Sequence, residues 1–297
     1  MTRKPPYFIL YSIMLRELTE LFRYRDLLIQ LVIRDLRVRY KNSILGFFWS
    51  LVNPLLQVAT ITIIVKYVMR LGIPNYSAYL LVAFLPWTFF QMALMDASQS
   101  VLMHHDLLKK VYFPREVLPL STVIANLIHF LLSICVFFAY LLILGTPITI
   151  GWLMLPVLIL IEFLLVCGIA LFISCLNVFY EDIKYIVSVL LNIFFYLTPI
   201  MYLSEMVHKG LTAIGYEKWF ILYQLNPLNA IIIAFRKLLL PPYKVPPERT
   251  IAEQFKNMPD MAFDWRFLAI AAGVSLIIAI LGYAFFNSRK WIFAEQT

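Results

Sequence analysis

Charge is scarce in this 297-residue chain. Only 14% of its residues are charged and 62% are hydrophobic, where a soluble domain carries about 25% charged and roughly 45–50% apolar residues. That shortage excludes a soluble globular enzyme, and the apolar excess that replaces the charge excludes a disordered chain. Cysteine is also sparse. Cys135, Cys167 and Cys175 are odd in number, sit inside apolar runs and form no C-x-x-C pair, so they read as small apolar residues rather than staples or metal ligands. The four histidines, His104, His105, His129 and His208, lack metal-binding spacing. No G-x-x-x-x-G-K-[ST], H-E-x-x-H or G-x-S-x-G pattern occurs, so any ATP hydrolysis has to come from another chain. In a chain this apolar, the net charge of +8 reports membrane topology rather than nucleic acid.

Long apolar runs fill the remaining sequence. A span needs about 20 apolar residues, and six stretches qualify: Ile44 to Val65, Ala78 to Met103, Val117 to Leu144, Trp152 to Val178, Tyr185 to Leu203 and Phe267 to Phe286. None shows the alternating polarity of a barrel strand, so the expectation is an all-α integral membrane protein with six transmembrane helices. The expected division is a cytoplasmic N-terminal segment (1–43), spans one to five (44–203), an extracytoplasmic segment (204–264), and the sixth span with a cytoplasmic tail (265–297). No signal peptide is evident ahead of the first span. Fifteen Lys and Arg residues fall in the segments on the side of the two termini, against two in the short loops opposite. Both termini are therefore expected in the cytoplasm.

Three pieces outside the spans carry chemistry. Asp26 to Lys41 is a helix with Gln30, Arg34, Arg37 and Lys41 spaced 4, 3 and 4 along one stripe. It is expected to lie in the membrane interface with that stripe towards headgroups, either as a topology anchor or as a basic lip for an anionic lipid. Asp35 and Arg39 are expected to pair at i,i+4. His104 to Glu116 is a short cytoplasmic connection rich in apolar residues and ended by Pro114. It is expected to form a short coupling helix that enters a groove of a cytoplasmic partner, or else to pack under the interface helix. The long segment after the fifth span holds an apolar patch at Trp219 to Tyr223. Asn226-Pro227 then opens a run to Leu240, a good helix start. That run is too short to span, so re-entrant or surface half-helices are expected.

Polar groups inside the spans are few. Asp96 lies towards the cytoplasmic end of its span and Glu162 near the middle of its own. Glu162 is the feature an ion-coupled carrier would need, and it fits equally a carboxyl buried between helices. Asn53, Gln57, Thr60 and Thr62 make the first span polar enough to border a cavity or a subunit contact. Pro54, Pro86 and Pro199 invite kinks. Trp49, Trp87, Phe89, Phe90, Phe194, Phe195, Tyr196 and Tyr202 cluster in spans one, two and five. They read either as interfacial belts and lipid-facing bulk or as a path on which sugar rings stack and slide.

The stretches RDLRVRYKNSILGFFWSLVNPLLQ (Arg34 to Gln57), KKVYFPREVLPLSTV (Lys109 to Val123), FYEDIKYI (Phe179 to Ile186), FFYLTPIMY (Phe194 to Tyr202) and LNPLNAIIIAFR (Leu225 to Arg236) resemble the permeases of bacterial ABC exporters for lipid-linked polysaccharides, the O-antigen and wall teichoic acid exporters. The resemblance covers most of the chain. It implies a homodimer in the bacterial inner membrane with two copies of a separate ATPase, which binds Mg-ATP, so that this chain itself needs no cofactor and is no enzyme. It implies an undecaprenyl-diphosphate-linked glycan as cargo. Arg34, Arg37, Arg39 and Lys41 would then flank a lateral entrance and meet the diphosphate. Asp106, Leu107, Leu108, Lys109, Lys110, Tyr112 and Phe113 would seat on the ATPase, with Glu181 and Asp182 as a second contact. Trp219, Phe220, Tyr223 and Arg236 would belong to an outer gate. Rival classes are an ion-coupled carrier dependent on Glu162, a membrane enzyme acting on a polyprenyl lipid, and an ABC permease for another amphipathic substrate.

Overall fold

A computed structural model describes residues 20–41, 48–68, 75–104, 107, 109, 111–147, 149–242 and 261–293, and every regular element among them is a helix. Helix α1 is Arg25–Tyr40 and α2 is Phe48–Ile63, continued by a π-helical turn at Ile64–Val68. Helices α3 (Tyr76–Met103) and α4 (Val117–Ile143) follow. A 3-10 turn at Ile150–Met154 leads into α5 (Leu155–Phe179), and α6 is Ile183–Leu197. Three short helices come next: α7 (Ser204–Ala213), α8 (Lys218–Leu225) and α9 (Pro227–Leu239). The last helix is α10 (Trp265–Arg289), extended by a 3-10 turn at Lys290–Ile292.

Four helical units are long and apolar enough to cross a membrane: α3, α4, Ile150–Phe179 and α10. They coincide with the second, third, fourth and sixth predicted spans. The other two predicted spans are shorter apolar helices, Val52–Val68 and Ile183–Leu197. The fifth needs correcting most, because α6 stops six residues before Leu203. The cause is Pro199. A proline clashes with an α conformation at the residue before it, and Thr198 accordingly turns extended at φ −90° and ψ 141°. Pro54 and Pro86, by contrast, stay inside continuous helices.

Helix α3 sits at the centre and touches α2, α4, α5, α6 and α9. Leu80, Ala83, Trp87, Ala93 and Ala97 are all sealed from solvent, so α3 behaves as a core helix rather than a lipid-facing one. Helices α5 and α10 pack with their backbones close together. A Cβ on Gly168 would stand 2.5 Å from the Ile278 carbonyl carbon, and one on Gly282 would stand 2.1 Å from the Gly168 carbonyl oxygen. Only glycine permits backbones to come this near. Phe172 and Phe285 meet at 4.8 Å one turn further on, so the two helices run parallel with a constant register.

The bundle has two unlike ends. Helix α1 lies against α4 at one of them, the basic end, where residues 107 and 111–117, the loop 179–183 and the described residues after α10 also gather. Helices α7 to α9 close the opposite, far end. There Thr149 Oγ1 donates to the Leu238 carbonyl and Trp152 Nε1 donates to the Leu239 carbonyl at 3.0 Å.

Candidate functional site

At the basic end, α1 presents an open surface hollow lined by Gln30, Arg34, Arg37 and Lys41 together with Ile33, Leu36 and Val38. These are the four polar residues of the predicted stripe, brought onto one face by helical spacing. Arg37 and Lys41 are exposed. Arg34 is braced instead. Its Nη2 donates to Asp35 Oδ1 at 2.7 Å and also meets His104 Nε2. His104 Nδ1 lies 2.6 Å from the Ser100 carbonyl. That contact places the ring proton on Nδ1 and leaves Nε2 to accept from the guanidinium.

Arg39 is a correction. It does not join the hollow and does not pair with Asp35. Its side chain passes between α3 and α4, where Nη2 lies 2.5 Å from Asp96 Oδ2 and Nη1 donates to Asn126 Oδ1 at 2.9 Å. Asn126 Nδ2 closes the triangle with a 3.0 Å bond to Asp96 Oδ2. A carboxylate within an apolar span needs a cation, and α1 supplies it. Arg39 therefore anchors the helix that carries the hollow.

The connection after α3 divides. Asp106, Leu108 and Lys110 lie outside the described residues. Leu107 and Phe113 pack with Leu31, Val117 and Leu118 beneath α1, and Phe113 is only 5% exposed. They are struts for α1 rather than an outward docking face, which corrects their assignment. Lys109 is exposed, as are Val111 and Tyr112, and Tyr112 is 77% exposed. On the other loop Tyr180, Glu181, Asp182 and Tyr185 are exposed. Lys184 leans back towards Glu181 at 3.9 Å, and its backbone N–H is held by Asn177 Oδ1 at 3.0 Å. The basic end thus offers outward tyrosines with mixed charges beside them.

The aromatic path is corrected at three of its residues. Trp87, Phe89 and Phe90 are buried. Trp87 packs on Phe195 at 5.6 Å and on Phe90 at 5.9 Å, while Phe89 stacks on Phe130 at 5.1 Å. They fill the core around α3. Phe194 and Tyr196 face outward from α6. The side chain of Trp49 lies outside the described residues. In the first span, Asn53, Gln57 and Thr60 are exposed and share one face, with Gln57 Nε2 donating to Asn53 Oδ1 at 3.2 Å.

The far end is built around Arg236. It is 4% exposed, yet no carboxylate faces it among the described residues. Its three nitrogens donate to backbone carbonyls: Nε to Tyr79 at 3.3 Å, Nη1 to Tyr202 at 3.0 Å and Nη2 to Ile200. The guanidinium also lies 3.8 Å from the centre of the Tyr79 ring. The turn that Pro199 forces leaves carbonyls without helical partners, and a planar fork of donors suits them. Around it, Tyr76 Oη donates to the Met201 carbonyl at 2.6 Å, Tyr202 Oη donates to the Leu197 carbonyl at 2.9 Å, and Asn229 Nδ2 donates to the Tyr223 carbonyl at 3.0 Å. Helix α9 starts as predicted, with Asn226 Oδ1 accepting from the Leu228 N–H at 3.1 Å. Trp219 is exposed and Phe220 is buried against His208 at 4.8 Å.

A second clamp was not legible in the sequence. Lys237 reaches the buried Glu205 carboxylate, which also accepts from Ser204 Oγ at 3.0 Å and from the Met261 N–H at 3.4 Å. Burial alone would push the Glu205 carboxyl up, but the Lys237 ammonium and these hydrogen bonds outweigh it and hold it below the usual carboxylate range. The bonds join α7, α9 and the approach to α10. A Glu near the start of one short helix and a Lys near the end of another give no hint that they meet.

Helices of this length and apolarity, packed around a buried central helix, define a multi-pass membrane protein. The pattern of the ABC-2 type transporter family matches residues 26–240, which is from the start of α1 to the end of α9, and the chain belongs to that family. Among curated relatives, it is 33% identical over 271 residues to the O-antigen export system permease protein RfbA of Klebsiella pneumoniae, covering 91% of this chain and 94% of that protein. A protein of the same name from Myxococcus xanthus is 31% identical over 284 residues, covering 95% of this chain and all of the relative.

Proposed function

We propose that this chain is the permease subunit of an ATP-driven exporter that moves a lipid-linked glycopolymer of the O-antigen type outward across the bacterial inner membrane. The observation that carries this reading is the end-to-end similarity to permeases named for O-antigen export. The same similarity favours O-antigen over wall teichoic acid. The ABC-2 family assignment implies an ATPase in a separate subunit. In this reading α2 and α6 also cross the membrane, giving six spans, and the basic end faces the cytoplasm with both termini.

An undecaprenyl diphosphate would enter at the α1 hollow. Arg37 and Lys41 are free to turn towards it, and Arg34 can exchange Asp35 for a phosphate oxygen in a charge-assisted bond. Two ATPase copies would dock on Lys109, Val111 and Tyr112 and on the loop of Glu181 and Asp182. Two permease copies would pair, with the Asn53–Gln57–Thr60 face turned to the shared passage, because polar side chains in a span avoid lipid. Helices α7 to α9 would close that passage at the outer end until ATP-driven motion opens it.

The test is copurification with the ATPase encoded beside this chain, followed by ATP hydrolysis in lipid discs with and without an undecaprenyl-diphosphate-linked glycan. A two-plus-two complex whose hydrolysis responds to the glycan is the expected outcome. Failure of any ATPase to associate would overturn the proposal. One observation favours a second reading, an ion-coupled carrier: Glu162 is fully buried, and neither carboxylate oxygen has a hydrogen-bond partner among the described residues. Glu162→Gln separates the two, since only the carrier would lose transport while a proton gradient persists.

A further inference from the structure

The residues after the last span are held at the basic end by five contacts. Lys290 Nζ lies 3.5 Å from Glu116 Oε1, and both side chains are buried, at 9% and 2% exposure. Arg115 Nη1 donates to the Lys290 carbonyl. The Arg115 guanidinium stands 5.8 Å from the centre of the Phe293 ring. Phe293, with no exposure at all, meets Phe179 at 5.9 Å and Phe286 at 5.4 Å. It completes a small separate core with Val101, Leu171, Cys175 and Val178.

The two loops in contact with this segment have no direct reason to move together. Arg115 and Glu116 follow the outward residues Val111 and Tyr112. Phe179 precedes the outward residues Tyr180, Glu181 and Asp182. Lys290 meets the first loop and Phe293 meets both, and the two residues lie directly beyond α10. A buried ion pair is costly to form and rigid once formed, because losing one partner leaves the other charge stranded. A ring wedged between two further rings adds a fixed geometry. Such features resist small relative displacements in a way that exposed ion pairs do not.

We propose that Lys290 and Phe293 are positioning residues that lock the two loops, 111–116 and 179–183, to α10 as one rigid plate, so that a push on either loop reaches α3, α4, α5 and α10 together. This rests on the reading that those loops meet an ATPase. The role is therefore in coupling: without the lock, ATP would still be bound and hydrolysed, and the displacement would be absorbed between the loops.

The test uses the full permease–ATPase complex. Three quantities are read: the ATPase retained on purification, ATP hydrolysis in lipid discs, and surface O-antigen on cells lacking their own permease. Lys290→Met and Phe293→Ala are expected to retain the ATPase and its hydrolysis within about twofold and to lower surface polymer per ATP hydrolysed by at least tenfold. The exchanged pair Glu116→Lys with Lys290→Glu is expected to recover most of it, and Phe293→Leu to behave as the unaltered chain. Polymer per ATP unchanged in both Lys290→Met and Phe293→Ala would overturn the proposal. A measurement on the unaltered complex covers variants that fail to fold: labels at positions 112 and 180 should keep a constant separation when ATP binds, and a change in that separation would equally overturn it. Absence of any ATPase from the unaltered chain would instead refute the exporter reading, so the two failures are distinguishable.

Discussion

Arg236 offers the sharpest test of how the far end is held. Replacing it with Met removes three hydrogen bonds to carbonyls and the contact with the Tyr79 ring. A bond to a charged group contributes about 1.5–3 kcal/mol, and a desolvated cation over a ring about 2 kcal/mol. Against this stands the return of the guanidinium's own burial penalty, several kcal/mol. The net loss is then about 2–4 kcal/mol, felt between the turn 198–203, α9 and the start of α3. Arg236→Lys should cost at least as much. Its ammonium keeps the burial penalty, yet a single nitrogen cannot span carbonyls that a planar fork reaches in three directions. Amide hydrogen exchange reads the local opening directly. Amides in 198–206 and 228–236 should exchange roughly 30- to 1,000-fold faster, since about 1.4 kcal/mol is tenfold, with Lys no milder than Met and with amides in the middle of α5 unchanged. Exchange within threefold of the unaltered chain in both variants, or a Lys variant that behaves like Arg, would refute the account of Arg236 as the clasp of that turn.

Four further outcomes follow from particular contacts. A double-mutant cycle on Arg39→Ala and Asp96→Ala should give about 1–2 kcal/mol of coupling, between the values for exposed and buried pairs, and additivity in thermal melts would deny the anchor. Tyr112→Ala should weaken ATPase retention without changing the melting of the chain, whereas Phe113→Ala, in the core under α1, should lower stability by about 3–5 kcal/mol; equal melting for both would contradict the division of that loop. The depressed Glu205 carboxyl stabilises the far end above the ordinary carboxylate value of about 4.3 and loses that contribution as pH falls through its lower folded value. Exchange in α7 and α9 should accordingly rise only below about pH 4, and at higher pH in Lys237→Met, with an unmoved acid transition counting against the clamp. Gly168→Val should destabilise by more than the roughly 1–3 kcal/mol of ordinary overpacking, because the obstacle is backbone, while Gly273→Ala, with nothing within 4 Å of its Cβ, should be neutral or stabilising.

Composition and hydropathy were enough to find four long spans nearly to the residue, because a bilayer imposes one length and one chemistry on them. The start of α9 was equally legible, since Asn226 and Pro227 act through local backbone rules. The basic stripe was legible for the same reason, helical spacing. What could not be read was which neighbour a side chain would choose. Arg39 and Asp35 are four apart, but Asp96, 57 residues away in sequence, lies in a span where an unpaired carboxylate is far more costly than on a surface. Trp87, Phe89 and Phe90 look alike whether they line a passage or fill a core, and only their own burial decides it. Glu205 with Lys237 and Glu116 with Lys290 join segments far apart in the chain, and no local pattern announces such pairs.

The early end of α6 bears on the distance a cargo must travel. Fifteen residues rise about 22 Å, some 8 Å less than a hydrocarbon core of about 30 Å. The chain beyond Leu197 does not continue outward as a helix; it folds back into the turn that Arg236 holds. In the six-span reading proposed above, the protein on that side does not fill the full bilayer with greasy wall, and water or headgroups sink to the level of the turn. A sugar chain emerging there would leave the apolar zone early, which shortens the dry stretch that a hydrated polymer has to cross.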